Sequence, residues 1–154
     1  MPIVELTDLA AALPPRTPLL GLDLGDKTIG VAASDIDRMI ASPIEVIRRT
    51  RFTEDVDRVF ELMEDRGAHA LVIGLPVNMD GTEGPRCQSA RAFARNLSRL
   101  KDLPIAFWDE RMSTAAVQRM MTDEADLTRA RRADLVDKAA AAWILQGALD
   151  RIAG

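Results

Sequence analysis

The run Ala70-Leu71-Val72-Ile73-Gly74-Leu75-Pro76 is apolar at nearly every position, and a strand reads that way when both faces of its sheet are covered. A second run, Ile105-Ala106-Phe107-Trp108, follows after a stretch with helical spacing. Two buried strands joined through a helix make a right-handed parallel crossover. The fold must therefore be α/β, with these strands side by side and helices flanking them.

The segments upstream carry a different period. Residues 18–24, 28–35 and 43–48 read as three strands joined by Gly- and Asp-containing turns, the pattern of an antiparallel meander. The whole sheet is then mixed and five-stranded, with three antiparallel strands followed by parallel ones. A short amphipathic helix over 4–13, capped by Thr7 or Asp8 and stopped by Pro14-Pro15, is expected as an appendage within residues 1–17. From Thr53, Val56, Val59, Phe60 and Met63 form a helical stripe, with Glu54 and Asp55 in the first turn and Gly67 at its end. Helices are also expected over 86–100 and 133–151, and after Ser113 or Thr114 as a cap. The polar stretch 122–132 is the expected mobile segment.

At 154 residues the chain suits one domain, 1–154, with no room for two ordinary ones. It lacks an apolar run long enough to cross a bilayer and a signal-peptide pattern at Met1, and the single Cys87 forms no internal disulfide. A soluble protein in a reducing cytoplasm is the expectation, with no membrane partner. The net charge is -4, which opposes whole-surface attraction to nucleic acid, yet seventeen of the twenty basic residues are Arg. Arginine forks match phosphate oxygens in two-point contacts. The clusters are Arg48, Arg49 and Arg51; Arg86, Arg91, Arg95 and Arg99; and Arg129, Arg131 and Arg132. Arg91, Arg95 and Arg99 recur every four residues and form one stripe on a helix, which reads equally well as a solvated face.

Carboxylates stand where a structural chain has little use for them. Asp23 interrupts Leu19-Leu20-Gly21-Leu22-Asp23-Leu24-Gly25, and a charge on a buried strand is costly unless something compensates it. Capping of the Gly25-Asp26-Lys27 turn is its plain structural alternative. Asp109-Glu110 closes the second buried strand, at the end of an α/β sheet where ligands bind, although Asp109-Glu110-Arg111 also reads as a local ion pair. Asp137 shares a helix face with Ala140, Ala141, Ile144 and Ala148, and Asp134 lies one turn earlier. Asp23, Glu110 or Asp109, and Asp137, with Asp134 as a further candidate, can meet at one sheet edge. Oxygen ligands without His or Cys suit Mg2+ or Mn2+, and two such ions support phosphodiester cleavage. The longer arm of Glu110 favours it over Asp109.

Four motifs then occur in order: Gly21-Leu22-Asp23-Leu24-Gly25-Asp26-Lys27-Thr28-Ile29-Gly30-Val31-Ala32, Val72-Ile73-Gly74-Leu75-Pro76-Val77-Asn78-Met79-Asp80-Gly81, Asp109-Glu110-Arg111-Met112-Ser113-Thr114 and Val136-Asp137-Lys138-Ala139-Ala140-Ala141. Together, over about 18–150, they resemble the YqgF/RuvX family of pre-16S rRNA nucleases, also described as Holliday junction resolvases. The resemblance implies a ribonuclease H-like fold, an acidic site at Asp23, Glu110 and Asp137, and endonucleolytic trimming of the 5′ end of precursor small-subunit rRNA in the cytoplasm. It also implies precursor rRNA or the pre-ribosomal small subunit as partner, with branched DNA as the alternative substrate. Where many relatives carry Tyr and Arg, this chain has Leu24 and Thr28, and Lys27 is the available basic substitute. Related resolvases place an acid after the first parallel strand, where this chain has Gly74-Leu75-Pro76.

Candidate nucleic-acid contacts are Lys27, Asn78, Arg86, Arg91, Arg95, Arg99 and Arg111, with Gly81 and Gly84 letting the loop 77–85 approach a backbone closely. The first hairpin also resembles the phosphate loop of actin- and Hsp70-like ATPases, but the chain is too short for their second domain. A non-catalytic RNA- or ribosome-binding module is the alternative from another class. The protein is expected to be a monomer or weak dimer. His69 reads as a surface residue, and Trp108 and Trp143 as core.

Overall fold

The computed structural model describes residues 3–112 and 129–154, with the side chains of 129–138 outside the described set. The described elements, in order, are α1 (Leu6–Ala12), β1 (Leu20–Leu24), β2 (Thr28–Ser34), β3 (Ala41–Arg48), α2 (Phe52–Arg66), β4 (Leu71–Leu75), α3 (Pro85–Leu100), β5 (Ile105–Asp109), a 3-10 turn (Glu110–Met112) and α4 (Arg129–Ala153). The expected cap at Ser113 or Thr114, and residues 122–128 of the expected mobile stretch, lie outside the described residues. Residues 129–132 are helical in α4, four residues ahead of the expected helix start.

The strands form one sheet in the order β3-β2-β1-β4-β5. β1 pairs antiparallel with β2 and parallel with β4, and β5 is parallel to β4. The meander and the crossover thus share β1, which lies at the middle of the sheet. Asp23 therefore stands on the central strand. The hairpin closes with the Gly25 N–H donating to the Thr28 carbonyl at 2.8 Å.

Strand alternation sends the apolar residues to two cores. Leu22, Ile29, Val31, Ile73 and Ile105 face Val56, Val59, Phe93 and Leu97 of α2 and α3. On the opposite face Ala32, Val72, Ala106 and Trp108 meet Ala141, Ile144, Leu145 and Ala148 of α4, and Leu6 and Leu9 of α1 join this second cluster. Trp143, expected in the core, is only half-buried.

Local signals set the boundaries. Gly67 adopts φ 69°, a left-handed conformation that favours glycine, and the Ala68 N–H donates to the Met63 carbonyl at 2.8 Å, ending α2. Pro85 opens α3 at a position where its missing N–H costs nothing. At the sheet edges, β3 carries Pro43 and an extra residue at Ile44, where the register against β2 shifts between Val31 and Ala32. Beyond β5, Ile3 bridges Ile105 in parallel, and the Val4 N–H donates to the Ile105 carbonyl at 2.9 Å.

Candidate functional site

The parallel registers bring the C-terminal ends of β1, β4 and β5 level. Leu22 pairs with Ile73, Gly74 with Trp108 and Leu75 with Asp109. One further step along β1 sets Asp23 beside Gly74. Asp23 shares its face with Gly21, two residues back, where a Cβ would lie 2.8 Å from Leu145 Cβ and 3.5 Å from the Ala141 carbonyl oxygen. Asp23 thus points to the α4 side of the sheet and is only 6% exposed.

Glu110 follows β5 in the 3-10 turn, and its side chain folds back across Gly74. A Cβ at Gly74 would stand 3.2 Å from Glu110 Oε2, 3.3 Å from its Cγ and 2.6 Å from Ile144 Cδ1. Glycine is needed here for that close approach, since any side chain would occupy the room taken by the carboxylate and the isoleucine. The central strand's acid and the acid after β5 therefore flank one glycine on one face.

Asp109 takes a different course. Its carboxylate accepts from Arg111, with Nη2 at 2.6 Å, Nε at 3.0 Å and the backbone N–H at 2.9 Å. The Arg111 side chain holds the Asp109 carboxyl below its ordinary range, and Asp109 in turn raises Arg111. So the two adjacent acids separate, one closed on its neighbour and the other lying over Gly74.

Asp137 and Asp134 belong to the N-terminal half of α4, and their side chains lie outside the described residues. The helical backbone places Asp137 two turns, roughly 11 Å, before Ile144 and on the same helix face. Among the described residues no three His, Cys, Asp or Glu side chains group as a metal cluster. Asp23 and Glu110 are nonetheless hard oxygen donors of the kind Mg2+ and Mn2+ take, and Gly74 keeps the space between the strand ends small and open to their carboxylates.

The loop between β4 and α3 is held by its own hydrogen bonds. The Asn78 N–H donates to the Thr82 carbonyl at 2.9 Å, Asn78 Nδ2 to Thr82 Oγ1 at 3.0 Å, and Thr82 Oγ1 to Asp80 Oδ1 at 2.6 Å. Thr82 thereby keeps the Asp80 carboxyl below its ordinary range. Gly81, at φ 90°, turns the loop close to the Arg111 guanidinium.

The basic candidates divide by what already holds them. Arg91 forks onto Glu83 at 2.7 Å through both Nε and Nη2, and its guanidinium lies 5.0 Å from the Phe107 ring centroid. The pair raises Arg91 and lowers Glu83. Of the four-residue stripe, Arg95 and Arg99 stay exposed, Arg99 lying 3.5 Å from Asn96 Oδ1. Lys27 and Arg86 are exposed, at the hairpin tip and on the first turn of α3. His69 is exposed just before β4, away from the carboxylates.

Two residues escaped sequence reasoning. Gly74 had its only signal in standing where related resolvases carry an acid. Glu83 precedes Arg91 by eight residues across a loop–helix boundary, so no helical spacing couples them.

The model of the RuvX family, described as Holliday junction resolvase, matches residues 17–151. The chain belongs to the RuvX family. A protein of Phenylobacterium zucineum named "Putative pre-16S rRNA nuclease" is 71% identical over 99% of this chain and 98% of its own length. One from Rhodospirillum rubrum with the same name is 62% identical, over 99% of this chain and 94% of its own. Among solved structures, Thermus thermophilus RuvC in complex with a Holliday junction substrate superposes with a TM-score of 0.52 at 16% identity, covering 89% of this chain and 96% of that one. The yeast mitochondrial Holliday junction resolvase Ydc2 gives 0.50 at 12% identity, over 96% and 84%. This chain, with its three antiparallel strands followed by parallel ones and flanking helices, shares the ribonuclease H-like fold of these resolvases.

Proposed function

We propose that this RuvX member is a metal-dependent endonuclease that trims the 5′ end of precursor 16S rRNA in the cytoplasm, within or before the small ribosomal subunit. The observation that carries the reading is that Asp23 and Glu110 flank Gly74, at the strand ends where α/β folds place ligands. The choice of RNA rests on the names of the close relatives.

In this reading Asp23, Glu110 and Asp137 hold Mg2+ or Mn2+, with Asp134 as a further ligand, and Asp109 is left out because Arg111 engages it. Bound there, the ions would acidify water and neutralise charge on the phosphate. The chain's own residues do the positioning. The buried setting of Asp23 on the central strand fixes one ligand rigidly. Arg111, closed on Asp109, lies near Gly81 and so brings the end of β5 close to the loop that carries Asn78. Lys27, Arg86, Arg95 and Arg99 supply exposed cations for the phosphate backbone.

The test is cleavage of a precursor rRNA spanning the mature 5′ end, beside a four-way DNA junction. Cutting of the RNA is expected with Mg2+ or Mn2+ and not in chelator, and Asp23→Asn or Asp137→Asn should each lower it by about 100-fold or more while leaving RNA binding and the circular dichroism spectrum in place. Cleavage that survives both substitutions would sink the metal site. Preferential cutting of the junction would move the substrate to branched DNA, and tight RNA binding without cutting under any metal would make the protein a binding module.

A further inference from the structure

The end of β1 opens on a second feature, on the opposite side of the sheet from the carboxylates. A cleft of about 460 Å³ lies between the first hairpin and the starts of α2 and α3. Its volume falls within the range of sites that hold small organic ligands. Leu24, Phe52, Ala90 and Phe93 give it an apolar floor, with Phe52 and Phe93 in edge-to-face contact at 5.3 Å.

Its rim is polar and carries two guanidinium groups from separate elements. Arg49 follows directly on β3 and is anchored: Nη1 donates to the Gly25 carbonyl at 2.6 Å and the guanidinium lies 5.8 Å from the Phe93 centroid. One of its five N–H groups is thereby used, and the others remain for a ligand. Arg86, on the first turn of α3, makes no ion pair among the described residues. The acids of the lining do not cancel this pair. Asp55 is 4% exposed and accepts the Thr50 N–H at 3.1 Å, so it serves the wall. Asp26 sits exposed at the hairpin tip, where it can accept from a hydroxyl or an exocyclic amine.

Asp23 and Leu24 are consecutive on β1 and point to opposite faces. A nucleic-acid strand crossing the C-terminal edge of the sheet would leave the carboxylates on the α4 side and reach this cleft directly. We infer that the cleft is a nucleotide subsite: one nucleotide of the substrate strand, next to the one cut, places its phosphate between Arg49 and Arg86 and its sugar or base over the Leu24–Phe52 floor. The inference rests on the nuclease reading for the path of the strand. Its ligand chemistry, a phosphate carried on a flat or cyclic organic group, comes from the cleft itself.

The experiment measures binding without metal, in the Asp23→Asn background, so that cleavage plays no part. A fluorescein-labelled single-stranded oligoribonucleotide is titrated by anisotropy at several salt concentrations. Arg86→Gln and Arg49→Gln should each weaken binding roughly tenfold and flatten the plot of log affinity against log salt by about 0.7. Ser89→Trp, which fills the cleft from the exposed face of α3 and removes no charge, should weaken binding with the salt slope unchanged. It also guards against a hairpin disturbed by loss of the Arg49–Gly25 bond. Amide shifts at Gly25, Arg86 and Ser89 on adding uridine 5′-monophosphate, and much smaller ones with inorganic phosphate at equal concentration, are expected from a nucleotide site. Equal shifts with both ligands would reduce the cleft to a phosphate site and overturn the sugar and base contacts. Unchanged affinity in Arg86→Gln and Ser89→Trp together would overturn the subsite, whether or not the parent protein cuts RNA. Absence of cutting by the parent protein, with these losses of binding intact, would remove the nuclease reading and leave the subsite standing.

Discussion

The two faces of the sheet are filled in opposite ways. Toward α2 and α3, large side chains such as Leu22, Ile29, Ile73, Phe93 and Leu97 keep helices and sheet apart. Toward α4, Gly21, Ala32, Gly74 and Ala106 on the strands let Ile144 and Leu145 of the helix seat close against the sheet, beside Ala141 and Ala148. The first face behaves as an ordinary core. The second brings one rigid helix close to the strand ends that carry Asp23 and Glu110, and small residues there leave room for function.

The contrast predicts opposite sensitivities. Leu22→Ala deletes a fully buried side chain on the bulky face and should cost about 2–5 kcal/mol in urea unfolding. On the other face the damaging change adds a single methyl: Gly21→Ala would push a Cβ to 2.8 Å from Leu145 Cβ, an atom fixed by its own helix, and about 1–3 kcal/mol is expected. Gly21→Ala proving neutral would mean that α4 is loosely seated.

Gly74→Ala sharpens the comparison on one face. Its clash falls on Ile144 Cδ1, a terminal methyl that can turn away, and on the Glu110 carboxyl. The stability loss should stay below about 1.5 kcal/mol. The displaced Glu110 should instead lower kcat for RNA cleavage by roughly tenfold or more. A loss confined to stability, with kcat retained, would detach Glu110 from the chemistry.

The smallest effect concerns Glu83. Arg91 holds its carboxyl below the ordinary range, so the bond's contribution is present above the unfolded pKa and is lost as pH falls through the depressed folded value. At neutral pH the bond is complete, and it should release only in acid below the ordinary glutamate range. Titration of the Glu83 carboxyl by NMR should show the depressed midpoint in the parent protein and a return toward the ordinary value in Arg91→Gln. Because both groups are substantially exposed, the melting temperature should barely change.

Much of the architecture was legible from periodicity. The continuous apolar runs of β4 and β5 and the upstream meander carry the mixed five-stranded sheet, though not the placing of β4 beside β1, and Gly67 marks the end of α2. Boundaries set by distant partners were not legible. β3 begins at Ala41, where the Ala41 N–H donates to Gln146 Oε1 at 2.9 Å, a partner 105 residues away. Among the described residues α4 is already helical at Arg129, where the sequence offers no apolar stripe for periodicity to read.

The candidate site divides in the same manner. Asp23 announces itself as a charge among apolar neighbours. The division of labour between Asp109 and Glu110 does not, because strand alternation ends where the 3-10 turn starts, and that turn decides which carboxylate Arg111 takes. Arg91 belonged by spacing to a free cationic stripe. Its engagement by Glu83 depends on the fold of the loop, and spacing along a helix carries no trace of it.

The edges of the sheet bear on how the protein behaves before it meets any substrate. An open strand edge is a template for another chain of the same kind, and a five-stranded sheet offers two. Here Pro43 removes a donor from β3 and the extra Ile44 twists that strand out of register, while the segment at Ile3 and Val4 occupies the outer side of β5. Each border is thus blunted at one point, β3 by a proline and a bulge and β5 by the bridge at Ile105, which makes edge-to-edge pairing of two copies less favourable.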